Sequence, residues 1–233
     1  MQETLMINWG YVIILFILGL FVYWRKSLDF LGSLTMVLMG IIIIFSAGLN
    51  WLILMIIFLI LSLLATKFAK PYKKKIKQYE GQRTAKNVIS NGLISFLMAA
   101  FGSYYLPFAG GFVGAIATAT ADTLASEIGI LQNPRLLTTM EKVPPGTDGA
   151  VSVLGTAVAI LGSAIIGLFS YILGILPNIY LALITGILSG TIGCFMDSFV
   201  GDKFERKGYL TNEHVNLIGT LTGAIIGIIC LSI

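Results

Sequence analysis

Four carboxylates sit where an apolar sequence should have none. Asp122 and Glu127 fall near the end of one hydrophobic run, in Asp122-Thr123-Leu124-Ala125-Ser126-Glu127, and Asp197 and Asp202 near the end of another, in Asp197-Ser198-Phe199-Val200-Gly201-Asp202. An aspartate inside a membrane span costs ~2.5–3.5 kcal/mol at the bilayer centre and less near the interface. Acids retained at that cost suit Mg²⁺, which takes hard oxygen ligands and is commonly held by one or two carboxylates together with substrate phosphates. The expected metal set is therefore Asp122, Glu127, Asp197 and Asp202, with the hydroxyls of Ser126 and Ser198 alongside. Five residues of ideal helix turn about 500°, roughly 140° off the starting face. Asp122 and Glu127 can then share an ion only if the helix ends between them, and Gly129 and Gly201 are the candidate end points.

A second group complements the acids. Lys142-Val143-Pro144-Pro145-Gly146-Thr147-Asp148-Gly149 precedes another apolar run. Its glycines expose backbone N–H groups that can cradle phosphate oxygens, and the following helix N-terminus adds a favourable dipole. Lys142 supplies a point charge and Thr147 a hydroxyl; no Gly-Lys-Ser/Thr closes the loop as in a Walker A motif. Taken alone, the stretch is also what a turn-rich connector looks like. Arg83 and Lys86, close to Asn91 at the start of a further apolar run, are placed to meet a phosphate. The lysines from Lys67 to Lys77 read as an anchor on anionic headgroups, worth about 1 kcal/mol each. His214 reads as a solvated loop residue, and Cys194 and Cys230 as small apolar packing residues without metal-ligand spacing. One histidine so placed builds no Ser/His/Asp set, and basic residues without interleaved aromatics argue against nucleic acid.

The elements that must position these groups are membrane helices. The chain has 233 residues, 57% hydrophobic and 11% charged, with mean hydropathy +0.92, a charge content less than half that of a soluble domain. Runs able to cross about 30 Å of hydrocarbon occur at residues 6–24, 28–47, 49–66, 88–105, 108–125, 151–173, 179–200 and 215–233, with the division near Gly48 the least distinct. The expectation is an all-α, polytopic bundle of seven or eight spans. The first run has no basic leader and no small-residue cleavage site after it, so it reads as a retained span. All 15 Lys and Arg fall in alternate connections, which by the positive-inside rule places both termini outside and every polar loop in the cytoplasm.

Residues 1–66 then read as peripheral spans, 67–87 as a basic linker and 88–233 as the core. Within the core, 108–173 and 179–233 carry the two acidic motifs at an offset of 75 residues, a parallel repeat of helix pairs. Small residues at steps of three and four (Gly111, Gly114 and Thr118; Gly186, Gly190 and Gly193; Gly219, Gly223 and Gly227) form helix faces suited to close packing. Such faces could also leave a groove, open to lipid, for a hydrocarbon tail.

Taken together, Arg83, Asn91-Gly92, the Asp122–Gly129 segment, Lys142–Gly149 and Asp197–Asp202 resemble an integral-membrane family. Its best-defined member is the chloroplast phytyl-phosphate kinase of tocopherol synthesis, and the likeness runs from about Arg83 to Thr220. More distantly, the pattern is similar to CTP-dependent dolichol and phytol kinases. The resemblance implies phosphoryl transfer from a nucleoside triphosphate, with CTP favoured, to an isoprenyl monophosphate such as phytyl or geranylgeranyl phosphate, using Mg²⁺. Asp122, Asp197 and Lys142 would act in catalysis, and Arg83, Lys86, Asn91, Ser126, Gly146, Thr147, Gly149 and Ser198 would hold the nucleotide and acceptor phosphates. A secondary transporter of an anion or prenyl phosphate, or a lipid-alcohol kinase or cytidylyltransferase, would use many of the same residues. A transporter, however, is expected to carry its acids near the midplane in inverted halves.

Overall fold

A computed structural model describes residues 2–79, 81–102 and 104–233. Met1, Glu80 and Ser103, which fall in the expected first segment, basic linker and fourth span, lie outside the described residues. In lipid only a helix satisfies every backbone N–H and C=O within one segment, and the apolar runs accordingly fold as helices. They are α1 (Gln2–Trp24), α2 (Phe30–Ser46), α3 (Leu49–Lys67), α4 (Lys70–Lys75), α5 (Ala85–Gly102), α6 (Leu106–Gly129), α7 (Val153–Ile172), α8 (Ile179–Val200) and α9 (Asn212–Ser232). A π-helical turn, Gly201–Glu205, extends α8.

The protein is a polytopic helical membrane protein. Among the described residues, α3, α6, α7, α9 and α8 with its π turn have the length and apolarity to cross a membrane. The apolar part of α1, Trp9–Trp24, and α2 are shorter. The fourth expected span is α5, which opens on the polar residues Lys86, Asn87 and Asn91 and is not among the five.

Side-chain caps mark where chain direction changes. Asp29 accepts from the Gly32 amide at 2.6 Å to start α2, Ser152 accepts from Gly155 at 3.0 Å to start α7, and Asn178 accepts from Tyr180 at 2.8 Å to start α8. Such caps satisfy amides that the first helical turn leaves without partners. His214 was expected in a loop but lies in the first turn of α9, where it and Thr211 form a capping box.

The core is organised about α6, which packs against α3, α5, α7, α8 and α9. Small residues around its circumference allow this, and Gly110 through Ala121 are buried without interruption. Gly110 abuts Gly227 of α9, and Gly114 abuts Gly223; a Cβ at any of the four would run into backbone of the opposite helix. The small-residue faces are thus consumed by backbone approach, and the tail groove expected along them is filled with protein. Bulky α1 stays outside, with Ile13, Ile17 and Leu20 exposed.

Between α6 and α7 the chain makes a small antiparallel hairpin, β1 (Arg135–Leu136) with β2 (Ala150–Val151), pairing Arg135 with Val151 and Leu136 with Ala150. Gly149 ends the intervening loop at φ +71°, and a Cβ there would meet the backbone of Asp202. Gly149→Ala is expected to cost about 1–3 kcal/mol for the left-handed conformation, with a further loss as the hairpin is pushed from α8. Thermal unfolding in detergent measures this, and an unchanged midpoint would show that the hairpin docks elsewhere.

Candidate active site

Because successive helices run in opposite directions, the C-terminal ends of α6 and α8 meet the N-terminal ends of α5, α7 and α9 at one end of the bundle. A cavity of about 250 Å³ opens there. Asp122 from α6 and Asp197 from α8 both line it, with their carboxyl groups close enough to act on each other electrostatically. Gly219 of α9 leaves room for this pair: a Cβ there would lie 3.2 Å from Asp197 Oδ2. The two aspartates that the sequence places 75 residues apart are therefore neighbours.

Their companions take other partners. Glu127 lies at the cavity edge, but its Oε2 accepts from Lys73 Nζ at 2.6 Å and its Oε1 from Thr66 Oγ1 at 2.7 Å. The reason is geometric. Helix α6 continues to Gly129, so Glu127 keeps the roughly 140° rotation away from Asp122 that an unbroken helix imposes. Asp202 is buried and does not line the cavity. It accepts from Arg206 Nη1 at 2.7 Å and from the amide and hydroxyl of Thr138, and so ties the hairpin to the end of α8. The four expected metal carboxylates do not form one cluster.

Of the remaining expected residues, Arg83, Asn91, Ser126, Ser198, Gly146, Thr147 and Gly149 line the cavity. Thr147 Oγ1 donates to Pro144 O at 2.7 Å and shapes the hairpin turn. Gln78, from the basic linker, covers Gly146. Lys142 is exposed on the hairpin outside the lining, and Lys86 is exposed near Glu213.

Asn87, in the Arg83–Asn87 stretch read as placed to meet a phosphate, also lines the cavity, while several lining residues carry no assigned role from sequence: Asp148, Glu205, Asn212, Asn216 and Thr156. Glu205 lies beside Asn212, with Asp148 close by. It follows Asp197 by eight residues, which on an ideal helix would leave it ~80° past two full turns. The wider π turn rotates less per residue and brings it back toward Asp197. Asp148 was legible in the glycine loop, but the lysine beside that loop drew the phosphate assignment. Lys73, fully buried and bonded to Glu127, Ala65 O and Thr66 O, was hidden in a run of similar lysines.

The cavity is strongly acidic. Asp122, Glu127, Asp148, Asp197 and Glu205 line it, against Arg83 as the one cation among its described residues. The adjacent Asp122 and Asp197 carboxyls are the hard-oxygen donors Mg²⁺ prefers. Among the described residues no group of three or more His, Cys, Asp or Glu is assembled as a metal site. The residues therefore fit an ion that draws its remaining ligands from water and substrate phosphates rather than one caged by protein.

Similarity to known proteins covers most of the chain. The family described as integral membrane protein DUF92 matches residues 13–224. A membrane protein of Methanocaldococcus jannaschii, named as uncharacterized, is 42% identical over 98% of this chain and 96% of its own length. One of Synechocystis sp., also named as uncharacterized, is 35% identical over 64% of this chain and 60% of its own. The Arabidopsis thaliana protein VTE6, chloroplastic, is 27% identical over 64% of this chain and 48% of its own. No solved structure matches the chain. With nearly its whole length matched, and the chloroplast relative among the similar proteins as the motifs led one to expect, this chain belongs to the DUF92 family of integral membrane proteins.

Proposed function

We propose that the protein is a membrane-embedded phosphotransferase that moves a phosphoryl group from a nucleoside triphosphate, CTP foremost, to an isoprenyl monophosphate such as phytyl or geranylgeranyl phosphate. The observation that carries this reading is that Asp122 and Asp197 face one cavity together, lined by five acids and one arginine among the described residues. Such a cavity repels a bare polyphosphate and accepts one whose charge is neutralised by divalent cation. Phosphoryl transfer depends on that combination of positioning and charge neutralisation more than on covalent chemistry.

In this reading Asp122 and Asp197 hold Mg²⁺, which neutralises the triphosphate. Gly146, Thr147 and Gly149 place the hairpin backbone along the nucleotide, and Ser126 and Ser198 offer hydroxyls beside the acids. Arg83 and Asn91 orient the acceptor phosphate. One acceptor oxygen attacks the terminal phosphorus of the nucleotide, the bond to the departing nucleoside diphosphate breaks, and a new P–O–P linkage forms. A phosphate monoester is already anionic near neutral pH, so no side chain has to remove a proton. Lys142, outside the lining, has no part in the transfer. The acid excess weighs against an anion carrier, because an unaccompanied anion would be repelled. Every Lys and Arg lies at the cavity end, in connections, in the short α4 or in the terminal turns of the spanning helices, and the positive-inside rule then turns the cavity to the cytoplasm, where nucleotide is available.

Purified protein incubated with Mg²⁺, CTP and geranylgeranyl phosphate is expected to yield the diphosphate. Chelation by EDTA should abolish the product, and excess Mg²⁺ should restore it. Absence of diphosphate with all four nucleotides would overturn the reading, and faster turnover of geranylgeraniol than of its phosphate would replace it with a lipid-alcohol kinase.

A further inference from the structure

A second cavity, of about 80 Å³, adjoins the first, and its chemistry is the opposite. Side chains of α1, α2, α3 and α5 wall it, among them Leu15, Met39, Leu52, Met55 and Phe58. Arg83, Asn87 and Asn91 line both cavities. Across this short segment at the start of α5 the lining passes from carboxylates and amides to hydrocarbon. The Arg83 guanidinium sits at the junction, where Nη2 donates to Thr66 Oγ1 at 3.1 Å and lies 3.9 Å from Glu127 Oε1. A polar head beside an apolar body is the outline of a lipid phosphate.

Resting on the function proposed above, we infer that the apolar cavity holds the head-proximal carbons of the acceptor's isoprenoid chain, with its phosphate at Arg83, Asn87 and Asn91 facing Asp122 and Asp197. The alternative location, along the small-residue faces of α6 and α9, is closed by the Gly110–Gly227 and Gly114–Gly223 approaches. The three N-terminal helices are then part of the substrate site rather than peripheral anchors. The cavity is smaller than the roughly 150 Å³ that accepts a benzene ring, so it encloses only the first few carbons. The rest of the tail leaves past Met36 and Met39, which are half-buried, into the bilayer. Thioether side chains adapt to irregular shapes, and this wall should tolerate changes in tail length while resisting added bulk next to the phosphate.

Gly92 provides the test. A Cβ there would point at the terminal methyls of Met39, 3.2 Å away, and Met55, 3.8 Å away, both flexible ends that can move. Gly92→Leu fills the cavity and improves helix propensity. It is expected to raise KM for geranylgeranyl phosphate at least tenfold while leaving KM for CTP unchanged; a folded Gly92→Leu protein with unaltered acceptor KM overturns the inference. As a measurement on the wild-type protein, a farnesyl phosphate carrying a diazirine on its first isoprene unit should label α1, α2, α3 or α5, with the label competed away by unlabelled geranylgeranyl phosphate. Label on α6, α8 or α9, or none that competes, overturns the site. If wild-type protein makes no diphosphate but competed label still falls on α1, α2, α3 or α5, phosphoryl transfer fails and the lipid-phosphate cavity stands.

Discussion

Asp197→Asn protein should fold as the wild type does and lose diphosphate synthesis by about 10²–10³-fold, the scale seen when one group stabilising developing charge is removed. Asp122→Asn should behave alike, and the double variant should be little worse than either single one, because groups that act as a unit are strongly non-additive. The two carboxyls line the same cavity within electrostatic reach of each other, so neutralising one relieves repulsion between them. The thermal midpoint should hold or rise, as is common where a site is built at the expense of stability. Residual activity should need more Mg²⁺ for half-saturation. A steady-state assay with Mg²⁺ titration, paired with thermal unfolding, separates the possibilities. Wild-type turnover in Asp197→Asn would remove the pair from the mechanism, and activity lost together with the fold would make its role structural.

The second large effect concerns stability and lies in the linker. Lys73 is fully buried, and its ammonium donates to Glu127 Oε2 at 2.6 Å, Ala65 O at 2.8 Å and Thr66 O at 3.2 Å. Lys73→Met removes the close partner of a buried ion pair and leaves Glu127 with only the more distant Arg83 guanidinium, 3.9 Å away, as counter-charge; breaking such a pair costs about 3–5 kcal/mol. Lys73→Met with Glu127→Gln should recover much of that loss, since no charge is then stranded. Lys74→Met, at an exposed position on the same short helix, should stay within about 0.5 kcal/mol of wild type. Unfolding in detergent reads all three. Equal effects of Lys73→Met and Lys74→Met would show that the buried pair does not hold the linker against α6. The pairing also bears on the site, because Thr66 and Glu127, which anchor Lys73, position Arg83 as well.

How much could be read beforehand differs from residue to residue. Asp122 and Asp197 were legible, because an acid inside an apolar run is costly and two at matching places share a reason. Glu127 and Asp202 looked equivalent to them, yet they bond to segments 54 and 64 residues away. Which partner an acid meets depends on how those segments pack, and spacing along the chain carries no trace of it. Lys73 is one of six lysines between residues 67 and 77, and only the fold of α4 turns it inward. Glu205 needed a π turn to approach Asp197, and the sequence has no dependable sign of one. Gly110 and Gly114 announced a close helix face, while only the arrangement of α6 against α9 shows that the face is filled and that free space lies among the bulkier N-terminal helices.

The sequence by itself determined the helical membrane class, the family and the two central aspartates. These follow from local quantities: the length of an apolar run, the desolvation of a charge, and a linear motif. Tertiary structure alone decided which acids face the cavity, which are spent as ties, and where polar and apolar spaces meet. Those are outcomes of packing between distant segments, where a rotation of one residue on a helix, about 100°, changes which partner a side chain finds.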